Sequence, residues 1–450
     1  MAAALSLEQI KDLAARKPNE PVNWPCLADW DLGNEPASDM VRDLSGLGHD
    51  GLCVNQPAGA VQGSNWDSST LDWRHAPEQY GAIHFHHDFE SLGWHEDLRL
   101  TVPVEWPSSC YAARLRGEDA EFYVPFYLRQ PANALSDVAF LAPTATYAAY
   151  VNMVSQQQGV EYALGCVGVT YTPLDLLAVG LPGPGRSLYD PHEDGSGRWI
   201  GSLRRPVLNR QPGGWLWNFQ IDLCLLGWLA RASPDHNVLT DEELDREGLA
   251  ALEGCRVLVT GSHPEYWSQP MLQALDGFLA RGGRLMYLGG NGFYHTIDFH
   301  PHRHGLVELR RRNSMMGRVE AGDAYISFTG RLCGVWRNLG RPEQSLVGVG
   351  YRTEAFDRCS YYRRLPAGDD PRAHFIFEGI TECIIGDFGI LGGAAGLEVD
   401  TVDRALGTPR HALVVAASEG HSSSYMRPMS GTEFFTALWN APQESLSVLI

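Results

Sequence analysis

The sequence predicts an α/β fold built around a parallel sheet, with β-rich parts on both sides of it. Two short apolar runs, at 257–259 and 285–288, flank a stripe of apolar residues with helical spacing. Ser268 can cap that helix, and Pro270 lies in its first turn. A strand, a helix and a second strand in this order predict parallel pairing. Binding sites in such sheets form beyond the carboxyl ends of the strands.

The residue pattern along the chain divides it into three parts. Residues 1–49 form an N-terminal segment to which we assign no chemistry. Residues 50–132 hold short extended runs split by Gly, Pro and Ser, which predicts a small β-rich module. Residues 133–450 begin with a buried-strand candidate, contain the α/β unit, and end in further strand-like pieces. Those pieces lie at 324–328, 345–349, 373–377 and 412–416.

Composition excludes several classes of partner. The chain has 450 residues, with 35 basic and 54 acidic side chains and a formal charge of −19. This charge argues against nucleic acid and anionic membranes as partners. The start of the chain has no basic region followed by an apolar core, and its nine cysteines stand singly, so we expect a cytoplasmic protein with reduced thiols. We expect the basic run 310–312 to be a solvated face.

Two tyrosines follow the two strands of the α/β unit. Tyr266 comes after the first strand and Tyr294 after the second, so both should face one crevice. A phenol is a poor acid at neutral pH unless something lowers its pKa, as a bound trivalent iron does. Imidazoles follow Tyr294 closely, at His295, His300, His302 and His304. The pattern is compatible with a Lewis-acidic metal site. It is also compatible with tyrosines that only pack at the end of the sheet and histidines that lie on a surface loop.

Two further features bear on catalysis. Glu378 closes an apolar run, where it could pair with Arg363 or Arg364 or act as a general base. The run at 285–288 leads into a glycine-rich turn shaped like a nucleophile elbow, but its apex is Asn291 rather than Cys or Ser. This excludes a Cys-His-Glu hydrolase. The same turn lacks the Lys-Ser/Thr of a phosphate-binding loop.

Several of these motifs resemble those of the large subunit of N,N-dimethylformamidase. The resemblance runs from about residue 50 to 430 in the same order. It is carried by long motifs, among them Ala142-Pro-Thr-Ala-Thr-Tyr147, His263-Pro-Glu-Tyr-Trp267, Gly282-Gly-Arg-Leu-Met-Tyr-Leu-Gly-Gly-Asn-Gly-Phe-Tyr294 and Gly393-Ala-Ala-Gly-Leu-Glu-Val-Asp400.

The resemblance implies an amidotransferase-like (flavodoxin-like) domain without its cysteine nucleophile. It also implies a mononuclear iron held by two tyrosines and a carboxylate, and hydrolysis of small amides. Tyr266 and Tyr294 match the tyrosine ligands by position. The counterpart of the carboxylate is His302, within His300-Pro301-His302. Because imidazole also suits zinc, zinc is possible. If that alignment is wrong, Glu265 or Glu378 could supply the carboxylate.

We therefore expect a metal-dependent hydrolase of a small amide or formamide. Metal-activated water would attack the carbonyl, and His300 or Glu378 would carry the proton to the departing amine. Backbone N–H groups around Asn291 are candidates for stabilising the oxyanion. The family implies a homo-oligomer and a possible small subunit. The alternatives are a non-catalytic amidotransferase-like module that binds a ligand or partner, and an iron enzyme that uses oxygen.

Overall fold

A computed structural model describes residues 4–425 apart from 18–19, 37, 56, 86–92, 119, 132–133, 135, 154–176, 178–184, 193–195, 214–217, 312–323 and 390, together with 448–449. Its α-helices are α1 Leu7–Ala15, α2 Thr144–Tyr150, α3 Phe219–Ala232, α4 Asp241–Glu247, α5 Gln269–Ala280 and α6 Glu343–Val347. Across the described ranges, no helix has the length and the apolar character needed to cross a bilayer.

The strands are mostly short, and they are named in chain order. Those of the first half are β1 Met40–Val41, β2 Gly51–Leu52, β3 Ala58–Val61, β4 Ala82–His84, β5 Ser109–Arg116, β6 Glu121–Leu128, β7 Val138–Ala142, β8 Ile200–Ser202 and β9 Asn237–Thr240. Those of the second half are β10 Val257–Thr260, β11 Tyr266–Trp267, β12 Arg284–Met286, β13 His295–Thr296, β14 Asp298–Phe299, β15 Leu306–Glu308, β16 Gly350–Arg364, β17 Ile384–Ile385, β18 Ala395–Thr401, β19 Ala416–Glu419 and β20 Val448–Leu449.

A four-stranded parallel sheet lies at the centre of the fold, in the order β12-β10-β7-β9. The predicted parallel pairing of β10 with β12 through α5 is confirmed, and Ser268 caps α5 by accepting the Met271 N–H. The buried strand predicted at 137–142 is β7. The amidotransferase-like assignment of this sheet stays a prediction.

Helices cover both faces of the central sheet, which explains why its inner strands β7 and β10 are mainly apolar. On one face, Leu275 and Phe278 of α5 pack in the same core cluster as Leu258 of β10. On the other face, Leu226 and Leu229 of α3 pack in a cluster with Phe140 of β7, among others. The result is a helix–sheet–helix layering around one edge where the strands end.

An antiparallel sheet built on the long strand β16 follows in the sequence, with β17, β18 and β19 paired to it. Two strands predicted near it are wrong: residues 345–349 mostly form α6, and 373–377 form a 3₁₀ helix at His374–Phe377. Periodicity cannot separate a short apolar strand from a short buried helix. The piece predicted at 324–328 lies in turns that make one isolated bridge, between Tyr325 and Leu332.

The strands between residues 40 and 128 pair as separate two-stranded antiparallel sheets, β1–β2, β3–β4 and β5–β6. Ala58 and Val61 of β3 share a core cluster with Trp199, Ile200 and Leu306. This part of the chain therefore contributes to a core that also includes residues beyond 132. The domain boundaries at 49 and 132 stay predictions.

The basic run at 310–312 is not the solvated face that its composition suggests. Arg310 is fully buried, and its Nε donates to Glu308 at 2.6 Å while another guanidinium nitrogen donates to the Gly59 carbonyl at 2.8 Å. The guanidinium also lies over the ring of Trp199. The ion pair is local, between Glu308 at the end of β15 and Arg310 two residues later, and the hydrogen bond from Arg310 to the Gly59 carbonyl joins this segment to β3. Arg312 lies outside the described residues.

Candidate active site

The candidate site forms where β7, β10 and β12 end, and hydrogen bonds join the segments that follow these strands. The hydroxyl of Thr146, in α2 after β7, accepts the Glu265 N–H at 3.2 Å. The Glu265 carbonyl then accepts the N–H groups of Tyr294 and His295, at 3.0 and 3.1 Å. Backbone hydrogen bonds therefore fix the positions of the side chains relative to one another.

Two glycines let these loops approach closely. A Cβ on Gly289 would lie 2.5 Å from the Ser262 carbonyl oxygen, and one on Gly290 would lie 2.8 Å from the Glu398 carbonyl oxygen. Both distances are shorter than any real Cβ contact, so residue 289 packs against the loop after β10 and residue 290 against β18. The diglycine brings β18 into the site.

A cluster of phenols surrounds the carboxylate of Glu265. Tyr150 donates its hydroxyl to Glu265 Oε2 at 2.7 Å, and the Tyr189 hydroxyl lies 3.3 and 3.4 Å from the two carboxylate oxygens. The hydroxyl of Tyr266 lies 2.5 Å from that of Tyr189. Glu265 and Tyr266 are buried. Four oxygen-bearing side chains from three segments therefore converge at one point.

The electrostatics of this cluster favour a cation. Burial and the negative charge of Glu265 raise the pKa of Tyr150, Tyr189 and Tyr266 well above the ordinary value for a phenol. The guanidinium of Arg311 lies 3.3 Å from the centre of the Tyr189 ring, which partly opposes this effect. The phenols would ionise readily only with a further positive charge among their oxygens.

His263 bridges two buried carboxylates. Its Nε2 lies 3.3 Å from Glu265 Oε2, and its Nδ1 lies 3.2 Å from Glu398 Oε2. Burial disfavours the charged ring, but Glu398 and then Glu265 outweigh that effect and raise the pKa of His263 to about 9. Burial raises the pKa of Glu398 to about 8, whereas the His263 hydrogen bond overcomes burial to keep that of Glu265 low. A proton can therefore be held between Glu265 and Glu398.

Asn291 hydrogen-bonds to Glu398 and is not placed to stabilise an oxyanion. Its side-chain nitrogen donates to Glu398 Oε1 at 3.0 Å. Its backbone N–H donates to Asp400 at 2.8 Å, and the next N–H, of Gly292, donates to the Tyr287 hydroxyl at 2.7 Å. Because these two N–H groups already have acceptors, the structure does not leave them for the oxyanion role expected from the sequence. The side-chain oxygen of Asn291 is buried and has no hydrogen-bond partner within the described ranges.

A third glutamate and two more rings lie beside Glu398. Glu354 of β16 stands directly opposite Glu398 of β18 in the register of the two strands. Tyr351 donates its hydroxyl to Glu354, and its ring meets that of Tyr294 edge to face, with centroids 5.2 Å apart. Burial raises the pKa of Glu354. Tyr294 and Glu354 are partly exposed, so they mark the solvent side of the site.

The structure brings only some of the predicted site residues together. Tyr266 lies inside the phenol cluster, and Tyr294 lies at its solvent side, where its ring contacts Tyr351 and His295. His300 is buried in the turn after β14, where its Nδ1 accepts the backbone N–H groups of His302 and Arg303. Its ring packs on Phe328.

The other two predicted residues, His302 and Glu378, are exposed. The ring of His302 contacts that of His300, and Glu378 follows the 3₁₀ helix at His374–Phe377. The contacts found for His300, His302 and Glu378 in the described part of the chain include none with either predicted tyrosine ligand. Their roles stay predictions without geometric support, whereas the alternative carboxylate, Glu265, is at the centre of the cluster.

Sequence reasoning missed several residues of the site. Tyr150 lies three residues beyond the motif that ends at Tyr147, and Glu398 lies inside the motif that ends at Asp400. His263 lies two positions before Glu265, a spacing that places both on one turn. Tyr189 carries no local signal, because it comes from an irregular segment that only the folded chain brings to Glu265.

The donor set of the cluster fits a hard metal ion. The hydroxyl oxygens of Tyr150 and Tyr189 lie within hydrogen-bond distance of the Glu265 carboxylate. Anionic oxygen donors of this kind suit iron and other hard cations. Among the described residues, no group of three or more His, Cys, Asp or Glu side chains is arranged to hold a metal. The cluster of Tyr150, Tyr189 and Glu265 is therefore distinguished by its phenols.

Comparison with known proteins places the chain in a family. A family model described as N,N-dimethylformamidase beta subunit-like, C-terminal, matches residues 58–445. The chain is 37% identical over 442 residues to the N,N-dimethylformamidase beta subunit of Paracoccus aminophilus, an alignment that covers 94% of this chain and 57% of that protein. It is also 37% identical over 419 residues to the protein of the same name from Alcaligenes sp, covering 89% of this chain and 55% of that protein.

The chain thus spans a little over half the length of these curated relatives. The family match covers most of the chain. The resemblance predicted from the sequence is confirmed: the chain belongs to the N,N-dimethylformamidase beta subunit-like family and corresponds to its C-terminal part.

Proposed function

We propose that this protein hydrolyses the C–N bond of a small amide or formamide. The observation that carries the proposal is the convergence of Tyr150 and Tyr189 on Glu265, beside a histidine that joins Glu265 to a second carboxylate. The relatives are named for N,N-dimethylformamide, which makes it the first substrate to try. The relatives are also named as beta subunits, so we propose that the chain works in an oligomer with a further, small subunit.

The proposed cofactor is one metal ion, most simply iron, with zinc as the other candidate. Glu265, Tyr150 and Tyr189 would hold it, with Tyr266 beside them, because these oxygens lie closest together. We propose this set in place of the pair Tyr266 and Tyr294 with His302, since the contacts of Glu265 give it stronger support. When bound, such a metal supplies Lewis acidity for the amide carbonyl and a water.

The side chains around Glu398 would handle the proton. Glu398 is the proposed acid and base: its pKa near 8 suits a group that accepts a proton from attacking water and returns it to the departing amine. His263 orients Glu398 from one side and Asn291 from the other. Burial of His263 and Asn291 keeps competing water away from the reacting carbon.

The proposal is tested by metal analysis and visible absorption of protein purified without chelator. We expect about one metal per chain, and with iron a tyrosinate charge-transfer band. Tyr150→Phe and Tyr189→Phe should each weaken or shift that band, and Glu265→Gln should lower metal content. All three should reduce hydrolysis of N,N-dimethylformamide by about 100-fold or more, as loss of a metal ligand or its support does.

Tyr123→Phe is the matched control, because this tyrosine lies on β6 with its hydroxyl on an exposed carboxylate, Glu121. It should leave metal content, the spectrum and activity unchanged. A wild-type protein that takes up no metal and hydrolyses no amide would contradict the proposal and leave the binding module as the better account. A band that survives both Phe variants and disappears in Tyr266→Phe and Tyr294→Phe would restore the original ligand pair.

A further inference from the structure

Two glutamates face each other across neighbouring strands beside the candidate site. Glu354 and Glu398 are direct partners in the antiparallel register of β16 and β18. Like charges in this arrangement are destabilising unless a positive charge lies between or beside them. His263 contacts Glu398, but it also contacts Glu265, so one imidazole serves two carboxylates already. Within the described ranges, the ion pair found for Glu398 is with His263 and none is found for Glu354, so a cationic ligand could bind between the two carboxylates.

An unpartnered buried acceptor lies next to the same pair. Asn291 is only 3% exposed, and its side-chain nitrogen donates to Glu398. That bond fixes the orientation of the amide group and leaves the oxygen without a donor from the described residues. A buried acceptor without a partner is energetically unfavourable, so a ligand with an N–H group would be stabilised here.

Two aromatic rings complete the surroundings. The hydroxyl of Tyr351 is engaged by Glu354, which holds its ring beside the carboxylate. The ring of Tyr294 packs against that of Tyr351 with centroids 5.2 Å apart. Carboxylates combined with aromatic rings recognise alkylammonium ions, because the rings attract the charge and bind the methyl groups.

We propose that Glu354, Glu398, Asn291 and the rings of Tyr294 and Tyr351 form a binding site for a small alkylammonium ion, the amine product of hydrolysis. The identity of the ligand rests on the proposed function. Amide hydrolysis adds water across the C–N bond and yields a carboxylic acid and an amine. At neutral pH the proton of the acid moves to the amine, so the product is an ammonium ion whose N–H groups can donate to the carboxylates and to Asn291.

The test is a titration of dimethylammonium chloride into the protein as purified, followed by saturation-transfer NMR of the ligand methyl groups. We expect saturable binding that acetone, a neutral molecule of similar size, does not displace. Glu354→Gln should weaken binding about 10-fold, the loss expected when one hydrogen bond to a charged group is removed. Glu382→Gln, which changes an exposed glutamate, is the matched control and should bind as the wild type does.

A second variant keeps the test independent of folding defects. Asn291 has a φ of 52°, which glycine adopts without strain, so Asn291→Gly should fold and bind more weakly. The proposed site would be overturned if Glu354→Gln and Asn291→Gly both bound dimethylammonium as the wild type does. It would also be overturned if acetone or potassium displaced dimethylammonium from the wild-type protein. Hydrolysis without saturable ammonium binding would contradict this inference alone. Binding through Glu354 without amide hydrolysis would contradict the proposed function instead.

Discussion

Glu265 accepts a hydrogen bond from one phenol, lies within 3.5 Å of a second and contacts an imidazole, while its own backbone carbonyl joins two loops. A carboxylate with this many partners is oriented before any ligand arrives. Preorganised donors and acceptors lose little energy to rearrangement during a reaction. At the scale of single residues, the site therefore depends on Glu265 and on the histidine next to it.

The charge on His263 should make the stability of the metal-free protein depend on pH. Its pKa is raised to about 9 in the folded chain from 6.5, so its stabilising contribution is complete below pH 6.5 and is lost as pH rises through about 9. We expect the free energy of unfolding to fall by roughly 1–3 kcal/mol between these values. Denaturant titrations at pH 6.5, 8 and 9.5 measure this change.

His263→Gln provides the comparison, since glutamine can donate a hydrogen bond but carries no charge. The variant should be less stable than the wild type at pH 6.5 and should show a smaller change between pH 6.5 and 9.5. Parallel stability curves for the two proteins over this range would contradict a charged His263 in the folded state.

Residue types and their positions predicted part of this site. Tyr266 was expected in the crevice because it follows β10, and it lies there. Tyr189 and Tyr150 could not be assigned, because nothing in the local pattern relates them to Glu265. Only the family resemblance places His302 at the metal, whereas its exposure is a consequence of the turn that the folded chain makes.

At the scale of elements, buried polar side chains fix the loops to the sheet. Asp222 of α3 accepts the backbone N–H and the hydroxyl of Ser262, at 2.6 and 2.9 Å, and also a hydrogen bond from Tyr147 of α2. One carboxylate therefore ties a helix on one face of the sheet to two of the loops that carry the site. Elements that pack far from the chemistry thus decide its geometry.

The buried ion pair between Glu308 and Arg310 should contribute more to stability than an exposed ion pair does. Arg310→Met removes the charge that accompanies Glu308, leaving a desolvated carboxylate whose remaining donors are Ser327 and Phe328. We expect a loss of about 3–5 kcal/mol in unfolding free energy, because breaking a buried pair leaves an uncompensated charge. Thermal and denaturant unfolding would measure it.

Arg341→Met is the matched control, because Arg341 donates to Asp276 at 2.6 Å in an exposed pair. Its loss should be within about 1 kcal/mol. If the two variants were equally stable, Arg310 would behave as a solvated residue, as the basic run 310–312 suggests, and the buried ion pair would be contradicted.

Elements with strong local signals were predicted correctly from the sequence. The α5 helix has a cap, a first-turn proline and apolar residues at helical spacing, and each signal appears in the structure. The runs at 345–349 and 373–377 have no such agreement of signals, and both adopt helical turns instead of strands. A run of five mostly apolar residues does not indicate whether a strand or a helical turn will form, because tertiary packing decides between them.

At the scale of the whole molecule, the candidate site joins segments that are distant in the chain. Its side chains come from residue 150 to residue 400, through the central sheet and the β16 sheet. A ligand that binds several such segments at once stabilises the folded chain as a unit, because the unfolded chain cannot offer the same donors.

Metal removal should therefore lower the thermal stability of the protein. We expect chelation to reduce the melting temperature by about 2–5 °C, and added iron or zinc to restore it according to which one the site holds. Tyr189→Phe should respond less to both treatments. Differential scanning fluorimetry with and without chelator measures the shift, and an identical response in wild type and Tyr189→Phe would contradict a metal at this cluster.

The diglycine at 289 and 290 sets a limit on how this protein can diverge. A side chain at the solvent side, such as Tyr294, can change in size without displacing a neighbouring backbone, so new amide specificities can arise there by single substitutions. Any side chain at 289 or 290 would push against the Ser262 or the Glu398 carbonyl and separate Glu398 from His263. Directed evolution of the pocket should therefore vary its rim freely while keeping those two positions as glycine.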